Sequence, residues 1–281
     1  MKPFVKWAGG KRQLVDALAA LMPTDYNRYY EVFVGGGALF LNIKPKNAVI
    51  NDLNSDLISC YNCFENDKDY ENLIARLNNY YENFGEKQYY EIRNLDRNVD
   101  YKNLDSPSKA ARFIYLNKTC YNGLARVNSK GYFNTPFGYK KNPIFYDKSN
   151  FKEIRDYFKN NNIQCLNLDY KEALKGIKPK DFVYFDPPYD KTSKTSFTSY
   201  NNSKFDKKEQ IELAKAFKEL TDKGVYCMLS NSDTDFIRNL YKNFNIREVK
   251  TRRCISSNSF GRVLADELII TNYKEKKYGK K

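Results

Sequence analysis

The chain has 281 residues, 48 Lys and Arg against 34 Asp and Glu, and a net charge of +14. That surplus fits a polyanionic partner bound through phosphate neutralisation, although a Lys-, Asn- and Tyr-rich composition also fits an AT-rich coding sequence. There is no histidine, which excludes Ser-His-Asp hydrolysis, histidine general-base catalysis and the His/Cys zinc deaminases.

In chain order, the first feature is KWAGGKR, Lys6 to Arg12. A phosphate loop needs a glycine five positions before the Gly-Lys step and Ser or Thr after the lysine. Those positions hold Val5 and Arg12, so the phosphate-loop reading fails. KRQLVDALAALM then places Leu14, Leu18, Leu21 and Met22 on one face of a helix expected to begin at Arg12. RYYEVFVGGGALF reads as a strand, a glycine turn and a helix start. KNAVINDLNSD reads as a second strand ending in an acidic turn, giving the β-turn-α-β opening of a Rossmann-like α/β domain.

From about Leu57 to Asn142 the pattern becomes helical and rich in Tyr, Asn, Lys and Arg, as in PSKAARFIYLNKT. This segment reads as an inserted, mostly helical module. Its SDLISCYNCFE carries Cys60 and Cys63 on a helical pattern without a zinc knuckle, so all six cysteines read as reduced, intracellular thiols and no metal is expected. The α/β rhythm returns with the helix FKEIRDYFKNN, the strand IQCLNLDY ending at Asp169, and the apolar strand DFVYFDPPY. After KTSKTSFTSYNNS, read as a mobile loop beside the site, comes a helix with Asp206 as N-cap, Glu209 completing a capping box and Gly224 as the stop. VYCMLSNSD, NIREVKTRR and LADELIITNY close the sheet, and EKKYGKK reads as a frayed end. No long apolar run appears, so no membrane partner is expected.

Two motifs carry chemistry. The turn after EVFV has Gly35, Gly36 and Gly37 at a strand end, where a ligand can approach the backbone at a helix N-terminus. Asp52 ends the next strand, where nucleoside binders keep an acid for ribose hydroxyls; the alternative for it is an Asx turn. In DPPY, Asp186 to Tyr189, two prolines force the chain out of the sheet at the carboxyl end of a strand. There Asp186 and the Pro187 carbonyl can accept from an amino group on a planar ring, and Tyr189 can stack on its face.

KWAGGK, F-x-G-G-G, ND-x-N-x-D, YNGL-x-R-x-NSKG-x-FN-x-PFG and DPPY, followed by Ile255 to Asn258 and a late DEL, occur together and in this order. The chain thereby resembles, over nearly its whole length, the Dam-type DNA adenine-N6 methyltransferases of the alpha arrangement, which methylate GATC. The resemblance implies a Rossmann-like S-adenosylmethionine-dependent methyltransferase domain (residues 1–57 and 145–281) and a helical target-recognition insertion (58–144). It implies S-adenosylmethionine contacts at Trp7, Lys11, Phe33, Gly35, Gly37, Asp52, Asp169 and Asp186. It implies DNA contacts at Lys6, Tyr121, Asn122, Leu124, Arg126 and Tyr139, with catalysis by Asp186, Pro187 and Tyr189. The implied partners are double-stranded DNA and a cognate restriction endonuclease, and the implied location is cytoplasmic. Where the family carries Arg after PFG, this chain has Tyr139 and Lys140. Core packing is the competing reading for Trp7 and Tyr121, and a local ion pair for Arg126. The rival functions are an amino methyltransferase on cytosine N4 or RNA adenine, and a catalytically silent DNA-binding protein; Asp at the head of PPY favours adenine.

Overall fold

The computed structural model describes residues 1–11, 13–123, 125–190, 205–252 and 264–274. Its centre is a seven-stranded sheet in the order β3-β2-β1-β4-β5-β7-β6. The strands are β1 (Tyr29–Glu31), β2 (Asn47–Asn51), β3 (Asn162–Leu166), β4 (Phe182–Phe185), β5 (Tyr226–Ser232), β6 (Asn245–Arg252) and β7 (Leu264–Thr271). The first five run parallel, and β7 lies antiparallel between β5 and β6.

A parallel sheet is buried on both faces, and these strands show it residue by residue. Tyr29 of β1, Ala48 and Ile50 of β2, and Phe182 and Tyr184 of β4 belong to one core. Tyr30, Val49, Val183 and Phe185 alternate with them and belong to the other. The second core is closed by α8 (Tyr170–Ala173), α9 (Lys207–Asp222) and α10 (Asp235–Leu240). In α9 the buried Leu213, Phe217 and Leu220 follow helical spacing, and Phe217 meets Phe185 of the sheet at 6.0 Å between ring centres. Burying each such side chain contributes about 2 kcal/mol.

The first core takes in α1 (Val15–Leu21), α2 (Ala38–Ile43), α3 (Ser55–Asn62), α4 (Asp67–Glu82), α5 (Glu86–Asn94), α6 (Ser106–Thr119) and α7 (Lys148–Lys159). Helix α6 packs on α3 and α4, so the helices between β2 and β3 share one apolar core with the sheet. Side-chain caps set several starts: Asn54, Asn66, Asp105 and Asp147 each accept a backbone N–H of the following turn.

Three local expectations change. Helix α1 begins at Val15, because Leu14 takes the cap position without a side-chain cap. Strand β3 stops at Leu166, where Asn167 turns to bond the Asp52 carbonyl at 2.8 Å. The capping box of α9 is half formed: Asp206 accepts from Lys208 and Glu209 amides, but the Glu209 carboxylate pairs with Lys171 at 3.1 Å. The segment 191–204, Ile255 to Asn258 and the terminal EKKYGKK fall outside the described residues. Cys60, Cys63, Cys120, Cys165 and Cys227 are free thiols. No group of potential metal ligands occurs among the described residues, and no described helix is long and apolar enough to cross a membrane.

Candidate active site

The connections run one way from β1 to β2 and β3, and the other way from β4 to β5, so the order reverses between β1 and β4. Open α/β sheets bind ligands outside the carboxyl strand ends at such a switch point. Glu31, the glycine turn, Asp52 and Asp186 all lie there.

Asp52, half-buried just after β2, accepts Gly35 N–H at 3.0 Å and Asn54 N–H at 2.9 Å on separate oxygens. The second bond is the Asx turn that competed with a binding role. The first ties the acid to the glycine turn, and each oxygen keeps a further lone pair for a hydroxyl. Burial raises its carboxyl above the usual range, while these amide bonds hold it down. Gly35 (φ +48°) lies under the indole of Trp7: a Cβ there would come within 2.6 Å of Trp7 Nε1. Gly37 (φ +64°) is equally closed by Tyr61, whose hydroxyl would be 2.6 Å from an added Cβ and donates to the Gly35 carbonyl at 3.0 Å. Trp7 is half-buried against Phe113, so it is both a packing residue and a wall of this turn.

Leu53 and Leu168, just after β2 and β3, are 70% and 42% exposed. Phe33 is half-buried and lies near Tyr170 and Phe205. Apolar surface beside an acid with spare lone pairs fits an adenosyl group, with its base on the leucines and its ribose on Asp52. Asp169 is exposed and caps α8 by accepting the Lys171 N–H at 2.9 Å on Oδ1.

At the end of β4, Lys11 Nζ contacts Asp186 Oδ1 at 2.8 Å, donates to the Gly9 carbonyl at 2.6 Å and stands 4.4 Å over the Tyr189 ring. Lys11 is 7% exposed and Asp186 19%. Burial pushes the Asp186 carboxyl up, Lys11 and Ser230 pull it back, and Glu267 adds to the rise. Tyr189 donates to Glu267 at 2.7 Å, which anchors the far end of its ring. Pro187 is buried, and the Pro188 carbonyl is taken by the Gln210 side chain at 2.8 Å. Among the described residues the Pro187 carbonyl has no partner.

Four groups here escaped the sequence reading. Ser230, Asn231 and Gln210 are buried polar side chains that hold the DPPY segment. Ser230 bonds Asp186, Asn231 accepts from the Asp190 amide, and Gln210 joins Asn231 to the Pro188 carbonyl. The available signal was SNS at the end of an otherwise apolar strand. Glu31 is the fourth: burial pushes it up to about 8, partly offset by the Tyr29 hydroxyl bonded to it.

The DNA-contact candidates lie at the end of α6. Asn117 clamps Lys6 through its backbone N–H and carbonyl, each at 2.8 Å, and Lys6 lies against Gly123, where a Cβ would clash with it. Tyr121 is 58% exposed, which rules out core packing for it, and Asn122 is exposed with φ +53°. Thr119 and Tyr121 close the loop base by bonding Gly138 and Pro136. Gly138 is required there, because a Cβ would lie 2.7 Å from two backbone carbonyl oxygens. Arg126 donates through Nε to Asn134 at 2.7 Å across a short hairpin. Tyr139 is exposed and donates to Glu86 of α5 at 2.7 Å. Leu124 lies outside the described residues.

The sheet topology and the strand-end acids define a Rossmann-like methyltransferase fold. The chain belongs to the D12 class N6 adenine-specific DNA methyltransferases, whose family model matches residues 7–255. It is 43% identical to the type II methyltransferase M1.LlaDCHI of Lactococcus lactis subsp. cremoris, covering 97% of this chain and 96% of that one. It is 41% identical to the type II methyltransferase M.MjaIII of Methanocaldococcus jannaschii, covering 97% and 99%. It is 35% identical to the DNA adenine methylase of Escherichia coli K12, covering 95% and 94%. The protein is therefore an adenine-specific DNA methyltransferase.

Proposed function

We propose that the protein transfers a methyl group from S-adenosylmethionine to adenine N6 within GATC in duplex DNA, after the base has left the stack. The observation that carries this reading is the buried carboxylate-proline-tyrosine corner at the switch point, beside the turn tied to Asp52. Trp7, Phe33, Gly35, Gly37, Asp52 and Lys11 would hold the donor. S-adenosylmethionine supplies an electrophilic methyl on sulfur, with a neutral thioether as leaving group, so the reading invokes no metal.

The adenine amino group is a poor nucleophile because its lone pair is shared with the ring. Asp186 and the Pro187 carbonyl accept its two N–H bonds, leaving electron density on nitrogen. Tyr189 stacks on the base and fixes its approach. Asp186 stabilises the positive charge on the methylated amine before the proton is lost. Unstacking costs a few kcal/mol; Tyr121 and Asn122 occupy the vacated space, and stacking on Tyr189 offsets part of the cost. Lys6, Leu124, Arg126 and Tyr139 contact the duplex, Arg126 donating to guanine. Asp169 is assigned to the donor's adenine in this reading, a role its capping bond leaves to its second oxygen. The type II names of two relatives support a cognate restriction endonuclease as partner, and the site of action is the cytoplasm.

The test is expression in methylation-free cells followed by digestion of their DNA. The DNA should resist an enzyme blocked by methylated GATC and be cut by one that requires it. Unmodified GATC sites beside methyl incorporated elsewhere would overturn the site assignment.

A further inference from the structure

We propose that Ser230 is a positioning residue for Asp186: with Lys11 it occupies Oδ1, and so assigns Oδ2 to the target amino group. This rests on the reading of Asp186 given above. Strand register brings the two together, since Phe185 pairs with Leu229 and the next position on each strand is Asp186 and Ser230. Ser230 is fully buried and donates to Asp186 Oδ1 at 2.9 Å. Its oxygen also lies 2.9 Å from the Tyr184 hydroxyl. A serine hydroxyl has one proton. With that proton on the carboxylate, Tyr184 must donate to Ser230, so a directed chain runs from the sheet interior to Oδ1.

Lys11 Nζ reaches the same oxygen at 2.8 Å, and no donor reaches Oδ2 among the described residues. Two donors on Oδ1 fix the rotation of the carboxylate and leave Oδ2 with both lone pairs. A buried hydroxyl costs stability unless it is bonded, and here its bond is spent on the acid that meets the substrate. The groups facing Asp186 are Lys11 from the N-terminal segment, Glu31 from β1, Tyr184 from β4, Tyr189, Ser230 from β5 and Glu267 from β7.

The test uses the full chain with Ser230→Ala, Ser230→Cys (near-isosteric, a weak donor), Ser230→Thr and Tyr184→Phe. Rates are measured with labelled S-adenosylmethionine and a GATC duplex across pH. Losing a hydrogen bond to a charged group lowers kcat roughly tenfold to a hundredfold in the Ala and Cys variants, with KM for both substrates little changed. The acid limb of the profile moves to higher pH, because Asp186 loses a donor that favours its charged form. Ser230→Thr restores rate and profile, and Tyr184→Phe shows a smaller loss of the same kind. Unchanged kcat and acid limb in the Ala and Cys variants, or a loss in KM alone, overturns the inference. If those variants fail to fold, Tyr184→Phe decides by the same two readouts. An Asp186→Ala variant that keeps turnover overturns the reading of the site itself, whereas an inactive Asp186→Ala beside a normal Ser230→Ala removes only the role of Ser230.

Discussion

Replacing Lys11 with Met removes the cation from Asp186 and keeps most of the side chain's apolar stem. At 2.8 Å, an effective dielectric of about 20 puts the attraction at about 6 kcal/mol. Desolvation offsets part of that, and deleting one partner of a buried pair costs about 3–5 kcal/mol, because a charge is left uncompensated. For a chain of this size that corresponds to a fall in Tm of roughly 10 °C near neutral pH. The pH dependence follows from the raised carboxyl of Asp186. A carboxyl that binds its proton more tightly folded than unfolded lowers stability as pH rises through its folded value. Without Lys11 that value rises further. The gap in Tm between wild type and variant should therefore be widest at the alkaline end of a titration from alkaline to acid pH and narrow as pH falls, since a protonated Asp186 no longer needs a cation. Thermal unfolding monitored by circular dichroism across this range reads the gap directly. A gap that stays constant, or widens in acid, would refute the argument.

Gly35→Ala combines a left-handed backbone, costing roughly 1–2 kcal/mol, with displacement of the Trp7 indole. Calorimetry with S-adenosylhomocysteine should show affinity reduced about tenfold or more, in line with a shift of 1.4 kcal/mol or above; unchanged affinity contradicts the placement of the donor on this turn. The net charge of +14 should appear as salt-dependent DNA binding, with a log–log slope near −0.9 for each phosphate neutralised. A flat response would make the basic surplus compositional only.

Much of this site was legible in one dimension because strand ends announce themselves. The double proline after FVYF ends β4 just before Asp186, and the glycines that follow β1, which itself stops at Glu31, form the turn to which Asp52 reaches back. Helices were legible where periodicity and caps agreed, as in α9. What was hidden depends on neighbours far apart in sequence. Nothing in SNS says that Ser230 will lie level with Asp186, because register is set by pairing across β4 and β5. The pairing of Lys11 was equally hidden: its ammonium lies against Asp186 and Tyr189, after the turn at Gly9 (φ +75°). Asp169 was expected to end β3, but the strand stops three residues earlier at Leu166 and Asp169 caps α8.

The central claim is that Asp186 activates the adenine amino group. Asp186→Ala, assayed with labelled S-adenosylmethionine on GATC duplex DNA, should lose methyl transfer by roughly a thousandfold or more while DNA affinity stays largely intact. Turnover near the wild-type rate would contradict the account.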